Sequence, residues 1–549
     1  MDRKLVFSSL LQYVQGALVE NGRLVEYYLE YDVQDRLMNN IYKGRVENIL
    51  PGMNAAFVDI GLTKNAFLFL ADLPDENSAQ GLRRGDALLV QVVKEAEGTK
   101  GPRVTTRITL PGRYLVLLPS QGGIGISRQI PQEKERARLK ALAEELKPEG
   151  MGLIVRTMAQ GADREELQDD LEALLQEWSR ISRKFQSRGS GPLLYRDHDL
   201  VYRILRDLYN PPDTKLVVDS EPLQRRVEKE LQDLGLNSGV VELYQGKLQI
   251  FTYLGLDKDL ERARSPRVWL DCGGYLVINQ TEALLTIDVN TGKFVGGADL
   301  QDTVLTTNLE AAEEIARQLR LRNVGGIVVI DFVHMSQEAD RELVLERLAA
   351  SLGADKTRTK ILGFTRLGLV ELVRKKAKRP LAEMLEVDCP HCRGTGRVDS
   401  HETTALRIAQ AVQTAAAEAD VEAVLVRCHS AVAAQLIGPG AKHLELLEKG
   451  TGKAVFVRGD DALPKGEFEL TAGDAALLKE KALPVAPGQR LTVEILEPHA
   501  KNGSSGLARL HGYVIECLDC SALVGQKVEV EVVEVYRTSA LARPVENRN

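Results

Sequence analysis

The sequence predicts a multidomain α/β protein that also carries small β-barrels. Its 549 residues exceed what one hydrophobic core organises, and at roughly 100–200 residues per domain they make three to five modules. Short alternating strands broken by Gly or Pro-Gly recur near both ends of the chain, the pattern of small barrels. Between them apolar strands alternate with long charged helices, the pattern of β–α–β units. A hydrophobic content of 44% and a charged content of 27% are those of an ordinary soluble chain. The net charge of −7 excludes a polycation, so any nucleic-acid contact must come from local basic patches. No apolar run reaches the roughly 20 residues of a membrane span, and "MDRKLVFSSL" lacks a signal-peptide core. A cytoplasmic location is expected.

Taken in order, residues 1–35 read as two or three short strands joined by a Gly-containing turn. Residues 38–108, with "NIYKGRVENILPGMNAAFVDIGLTKNAFLFLADL", read as a small closed barrel. Residues 109–198 mix two strands, "RYLVLLPS" and "GLIVRTM", with charged helices, and "SRGSGP" follows as a loop. Residues 200–265 read as α/β. Residues 266–385 hold the strands "YLVIN", "ALLTIDVN" and "GGIVVIDFVHM", with the helix "TNLEAAEEIARQLRLR" between the last two; this is a β–α–β unit with buried strands. "VDCPHCRGTGRVDS" is a Gly-rich linker, residues 402–470 a small α/β domain, "LPVAP" a further linker, and residues from 488 onward a second barrel.

Two strands end alike. Ala283, Leu284, Leu285 and Ile287 form a buried run that stops at Asp288, with Asn290 two residues on; Val328, Val329 and Ile330 lead into Asp331. Ligands of open α/β sheets sit at the carboxyl ends of strands, so neighbouring strands of this kind place two carboxylates at one edge. Hard oxygen donors in that number suit Mg²⁺, which keeps several waters and takes one or two carboxylates. The competing reading is that both are turn or cap residues. The six cysteines, Cys272, Cys389, Cys392, Cys428, Cys517 and Cys520, are too few for a disulfide scaffold. Two C-x-x-C pairs among them point to metal or redox chemistry.

The blocks "GGYLVINQTEALLTIDVNTGKFVGG", "TNLEAAEEIARQLRLRNVGGIVVIDFVHM", "TRLGLVELVRKK" and "CPHCRGTG" occur in this order. They resemble the signature blocks of the ribonuclease E/G family, and the similarity runs from the N-terminus to about residue 480. The resemblance implies an RNase H-like subdomain in two parts, 1–36 and 200–265. An S1 barrel of the OB class at 37–108 and a 5′-sensor region at 109–199 would interrupt it. A DNase I-like catalytic subdomain at 266–385, a zinc-link at 386–399 and a small KH-like domain at 400–484 would follow. Residues 485–549 resemble a TRAM domain, a small RNA-binding barrel.

The resemblance further implies a Mg²⁺-dependent endoribonuclease for single-stranded RNA that responds to a 5′-monophosphate. It would act in mRNA decay and in rRNA and tRNA maturation, leaving 5′-phosphate and 3′-hydroxyl ends. By motif position Asp288 and Asp331 bind the Mg²⁺ and Asn290 contributes beside them. Phe57 and Phe67 fall where family aromatics stack on bases; without the family, both read as barrel core. Lys100 and Arg358 match RNA contacts. Arg156 and Thr157 match the 5′-monophosphate pocket, a guanidinium fork and a hydroxyl suited to a terminal phosphate, with Arg128 and the backbone near Gly112 and Val116 completing it. The resemblance implies that Cys389 and Cys392 supply half of a tetrahedral Zn²⁺ site shared between two subunits, in a dimer or a tetramer. The alternative is an internal four-Cys site with Cys517 and Cys520. His391 reads as exposed, Cys272 and Cys428 as buried thiols. The chain departs from the family at His334 and Asn279, usually Asp, and at Ala441, usually the last Gly of a KH-type loop. A long partner-recruiting tail is not expected. A non-catalytic RNA scaffold and a phosphodiesterase for single-stranded DNA remain as other readings; the retained carboxylates argue against the first.

Overall fold

The structure, a computed structural model, describes the chain except for residues 1, 32–35, 75–80, 97–99, 188–191, 212, 237–240, 293–299, 377–378, 419, 500–501, 511–512 and 546–549. The loop expected at "SRGSGP", residues 187–192, therefore falls largely outside the described residues. The chain divides into two compact units, Met1–Glu386 and Val387–Asn549.

In the first unit, strands Arg3–Leu10, Tyr13–Glu20 and Arg23–Tyr31 form an antiparallel meander. Strand Thr214–Val218 joins it in parallel, and Val241–Leu243 extends the sheet. Leu5, Phe7 and Leu18 pack there against Val201, Leu205 and Tyr209. The helix Leu200–Leu208 that supplies two of these starts at Asp199, whose carboxylate accepts the Tyr202 N–H.

Between those halves of the sheet lies a barrel of strands Ile41–Leu50, Ala55–Asp59, Ala66–Phe69, Arg103–Thr105 and Ala87–Lys94. It closes because the first strand pairs with both the second and the last. Val58, Leu68, Val90, Val92 and Val104 fill its interior. Gly44 sits where the wall closes most tightly: a Cβ there would lie 2.4 Å from Val58 Cγ1.

Residues 110–186 form a four-stranded sheet with helices Glu133–Leu146 and Arg164–Gln186. Two of its strands escaped the sequence reading: Leu110–Pro111 is only two residues long, and Gly123–Ile126, "GIGI", is half glycine. The second helix opens with a capping box between Asp163 and Glu166.

The last sheet of this unit has the order Arg267–Trp269, Tyr275–Gln280, Leu284–Asn290, Gly326–Asp331, Val370–Arg374, Thr359–Phe364. Leu284–Asn290 and Gly326–Asp331 run parallel, linked through helix Leu300–Leu321. Ile287, Val289, Val328 and Ile330 pack on Ala311, Ile315 and Leu319 of that helix and on Val344 and Leu348 of a second covering helix, Glu338–Leu352. The expectation of buried strands needs correction. Helices cover one face, so burial alternates along each strand. Ala283 and Asp288 are exposed, and the strand continues past Asp288 to Asn290.

The second unit has strands Ala454–Gly459, Ala423–Cys428 and Phe468–Gly473 in that sheet order, flanked by four helices. A five-stranded closed barrel of residues 490–544 follows. Arg537 ties the two together, donating to Glu448 and the Val455 carbonyl and lying 4.7 Å from the Phe456 ring centre. No helix among the described residues is long and apolar enough to cross a membrane.

Candidate active site and nucleic-acid surfaces

Because side chains alternate along a strand, Asp288 and Asn290 share the face of the last sheet of the first unit that no helix covers among the described residues. The parallel register sets Asp288 directly beside Asp331. Both carboxylates are exposed, and Asn290 Nδ2 donates to Asp288 Oδ2 at 2.8 Å. Two adjacent carboxylates with an amide in support are the donor set Mg²⁺ accepts while keeping its waters. Among the described residues no group of three or more His, Cys, Asp or Glu forms a larger metal cluster. Asn308 escaped the sequence reading. Fully buried on the covering helix, it accepts the Val333 N–H at 3.0 Å and donates to the Val333 carbonyl at 2.8 Å, fixing the chain just after Asp331. A lone Asn on an apolar helix face was its only signal. His334 and Asn279 are exposed, and no hydrogen bond links either side chain to the carboxylates among the described residues.

Phe57 and Phe67 are directly paired across strands on the outside of the first barrel, rings 6.0 Å apart. Neither is core. Phe69, missed from sequence, extends the row at 4.9 Å from Phe67, and the Arg103 guanidinium lies 4.4 Å from its centre. Lys100 is exposed just before that arginine's strand. Aromatic faces with cations beside them suit stacked bases, each contributing roughly 1–3 kcal/mol. Phe67→Ala should weaken single-stranded RNA binding about tenfold, measured by fluorescence anisotropy in EDTA; unchanged affinity would remove the barrel from the binding surface.

Arg156 and Thr157 lie at the end of strand Gly152–Val155. Arg156 donates to the Gly112 carbonyl and, at 2.6 Å, to Asp207. Asp207, also missed from sequence, is gripped bidentately by Arg206. Burial alone would raise its pKa, but Arg206 and then Arg156 outweigh that and hold the carboxyl well below the usual carboxylate range. Two guanidiniums share one carboxylate, so positive charge is left over for an anion. The Thr157 hydroxyl lies 2.8 Å from that of Ser127, and Arg128 next to it is exposed without an ion-pair partner among the described residues. Val116 is held in a strand paired on both sides. Gln129 bridges outward, accepting from Thr157 at 3.1 Å and donating to the Lys356 carbonyl at 2.6 Å. This brings the segment of exposed Arg358 to the sheet of residues 110–186, not to the barrel.

In the second unit Cys389 is exposed and Cys392 half-buried in a tight turn where Arg393 N–H meets the Cys389 carbonyl at 2.8 Å. N–H groups of Cys392 and His391 and the Cys392 thiol lower the Cys389 pKa, favouring the thiolate. Two thiolates are half of a zinc set. Cys517 and Cys520 are joined as a disulfide in the barrel core, which overturns the internal four-Cys alternative. Cys428 is buried, its thiol pushed up to about 12 by burial; Cys272 is only partly buried, a second correction. The loop Gly438–Ala441 does lie between two helices, and Ala441 adopts the left-handed φ of 62° that a Gly would hold without strain.

Known proteins resemble this chain along most of its length. Family models match residues 109–377 (ribonuclease E/G family), 388–473 (RNase E/G, thioredoxin-like domain) and 484–545 (TRAM domain). The chain is 40% identical to ribonuclease G of Haemophilus influenzae, over 83% of this chain and 96% of the relative. It is 38% identical to ribonuclease G of Escherichia coli, over 86% and 99%. With ribonuclease E of Nostoc it shares 42% identity, over 70% and 58%. These matches define a hydrolase of the nuclease class that acts on RNA. The chain belongs to the ribonuclease E/G family of endoribonucleases and carries a TRAM domain.

Proposed function

We propose that this endoribonuclease is Mg²⁺-dependent, cuts single-stranded RNA, and is stimulated by a 5′-monophosphate, leaving 5′-phosphate and 3′-hydroxyl ends. It would serve mRNA decay and the maturation of rRNA and tRNA. The observation that carries this reading is the in-register pair Asp288 and Asp331 on an open sheet face. Asp288 and Asp331 would hold the cation, and Asn290 keeps Asp288 oriented through its 2.8 Å hydrogen bond. When bound there, Mg²⁺ lowers the pKa of a coordinated water and offsets phosphoryl charge. Phe57, Phe67, Lys100 and Arg358 would grip the strand; Arg156, Thr157, Arg128 and the Gly112–Val116 segment would receive a terminal phosphate. The RNase H-like and DNase I-like names for the subdomains belong to the same reading, as do the domain limits; for residues 400–484 the match to a thioredoxin-like domain replaces the KH-like expectation.

Cleavage of one short RNA bearing a 5′-monophosphate or a 5′-hydroxyl, with Mg²⁺ or EDTA, tests it. Mg²⁺-dependent cutting, faster for the monophosphate, is expected. Loss of Arg156's anchor in Asp207→Asn should reduce that preference about tenfold or more, since a charge-assisted contact contributes roughly 1.5–3 kcal/mol, while 5′-hydroxyl RNA is cut as before. Equal cutting of both ends by the wild type would refute the sensing claim. The Asp207 pKa is depressed, so the stability its pairing contributes is present above about pH 4 and lost as pH falls through the lowered value. The preference should therefore survive acidification to about pH 5 as far as Asp207 is concerned.

The paired thiolates Cys389 and Cys392 would join those of a second subunit in one Zn²⁺ site. Cys389→Ser should lower zinc content and shift the protein to a smaller species in size-exclusion chromatography with light scattering. An unchanged mass with zinc retained would show that the assembly rests elsewhere.

A further inference from the structure

The uncovered face that carries Asp288 and Asp331 also carries an aromatic and cationic cluster to which none of the functions above assigns a role. Edge strand Arg267–Trp269 alternates exposed, buried, exposed: Val268 enters the core, so Arg267 and Trp269 turn to the open side. Trp269 is 57% exposed. Its cross-strand partner is Tyr275, with ring centres 5.2 Å apart. The Arg267 guanidinium lies 4.6 Å from the Tyr275 centre and 6.0 Å from that of Trp269. Arg267 has no carboxylate ion-pair partner among the described residues, so its guanidinium is not neutralised there. A surface Trp held against a Tyr and an unneutralised guanidinium loses solvent-shielding and gains nothing for the core.

Register connects this cluster to the carboxylates. Tyr275 stands opposite Asn290, and Val277, the partner of Arg267, stands opposite Asp288. At roughly 5 Å per strand, Tyr275 is one strand and Trp269 two strands from the Asn290 position, on the same face. Anything lying across Asp288 and Asp331 toward this edge must pass over the cluster.

We propose that Trp269 and Tyr275 form a base-stacking subsite for a nucleotide flanking the cleaved phosphodiester, with Arg267 facing the neighbouring phosphate. The proposal rests on the reading of Asp288 and Asp331 as the cleavage site. An aromatic face takes any base, so the subsite adds grip near the cut without base preference, and the guanidinium's positive charge offsets the repulsion of an incoming phosphate by the acidic pair beside it. The occupant is single-stranded RNA: a protein segment would call for a broader apolar surface than one Trp beside an arginine and two aspartates.

The experiment combines kinetics with walking abasic substitutions. Trp269→Ala should raise KM for a short 5′-hydroxyl RNA about tenfold, the typical contribution of one stacked base, with kcat little changed; Trp269→Phe should restore most of it. RNAs carrying one abasic nucleotide at successive positions should show, for the wild type, a similar KM penalty at one position beside the cut. That penalty should vanish in Trp269→Ala, because base and ring would be coupled. In EDTA, RNA should quench Trp269 emission in a Trp178→Phe background. Unchanged KM in Trp269→Ala with normal wild-type cleavage overturns the subsite and leaves the cleavage site standing; so does a changed oligomeric state with unchanged KM, which would mark the cluster as a protein contact. Absence of Mg²⁺-dependent cleavage by the wild type sinks the cleavage reading itself, and with it the subsite.

Discussion

Asp331→Asn should reduce Mg²⁺-dependent RNA cleavage by about 10³-fold, the loss expected when a cation worth several kcal/mol of transition-state charge stabilisation is no longer held in place. The substitution keeps the shape of the side chain and removes its charge. Asp331 is exposed at the end of its strand and its neighbour Ile330 carries the packing, so thermal stability should match the wild type. RNA affinity in EDTA should also persist, because Phe57, Phe67 and Phe69 lie on a separate barrel. Single-turnover rates across a Mg²⁺ titration give the measurement. A variant within tenfold of wild type at low Mg²⁺ would show that Asp331 is a strand-end residue and not a ligand, the reading that two matched carboxylates were weighed against.

The largest stability effect should come from Arg374→Ala. Arg374 and Asp355 are an ion pair with side chains 2% and 4% exposed. Nε donates to Asp355 at 2.7 Å, and a second nitrogen donates to the Val324 carbonyl at the entry to the Asp331 strand. Asp355 also accepts the Thr357 N–H at 2.8 Å. Removing the guanidinium strands a buried carboxylate and a buried carbonyl, which costs about 3–5 kcal/mol. Urea unfolding followed by circular dichroism should show the early transition. The double variant with Asp355→Ala should lose less than the sum of the singles, because the two act as one unit. A cost below about 1 kcal/mol would mean that the site opens to water and the pair is effectively at the surface. Since the Lys356 carbonyl next to Asp355 receives Gln129, the same variant should also loosen the segment around Gln129 and Thr157.

Much of this was readable because it is local. Period-two alternation marked the strands of both barrels, and Gly and Pro-Gly marked their turns. The runs into Asp288 and Asp331 marked two strand-end carboxylates, which the register then sets side by side. The apolar run before Asp288 misled in one respect. Leu284 and Leu285 adjoin in sequence, yet they point to opposite faces, and only knowledge that helices cover a single face tells which is buried. Phe69 continues the Phe67 face two residues on, a signal present in "AFLFL" but indistinguishable from barrel core without the closure that turns those rings outward.

The sequence by itself determined the modular plan, the carboxylate and thiolate motifs and the family, since each is written in contiguous residues whose spacing sets their direction. Tertiary structure alone decided the rest. The parallel register of two strands separated by a helix put Asp288 beside Asp331. Folding carried Asp207 to Arg156 and Gln129 to Lys356, closed Cys517 onto Cys520 inside a barrel, and set Trp269 and Tyr275 on the face of the carboxylates. Such partners meet because burying one helix-covered face fixes the strand order, and a strand order cannot be read from any one strand.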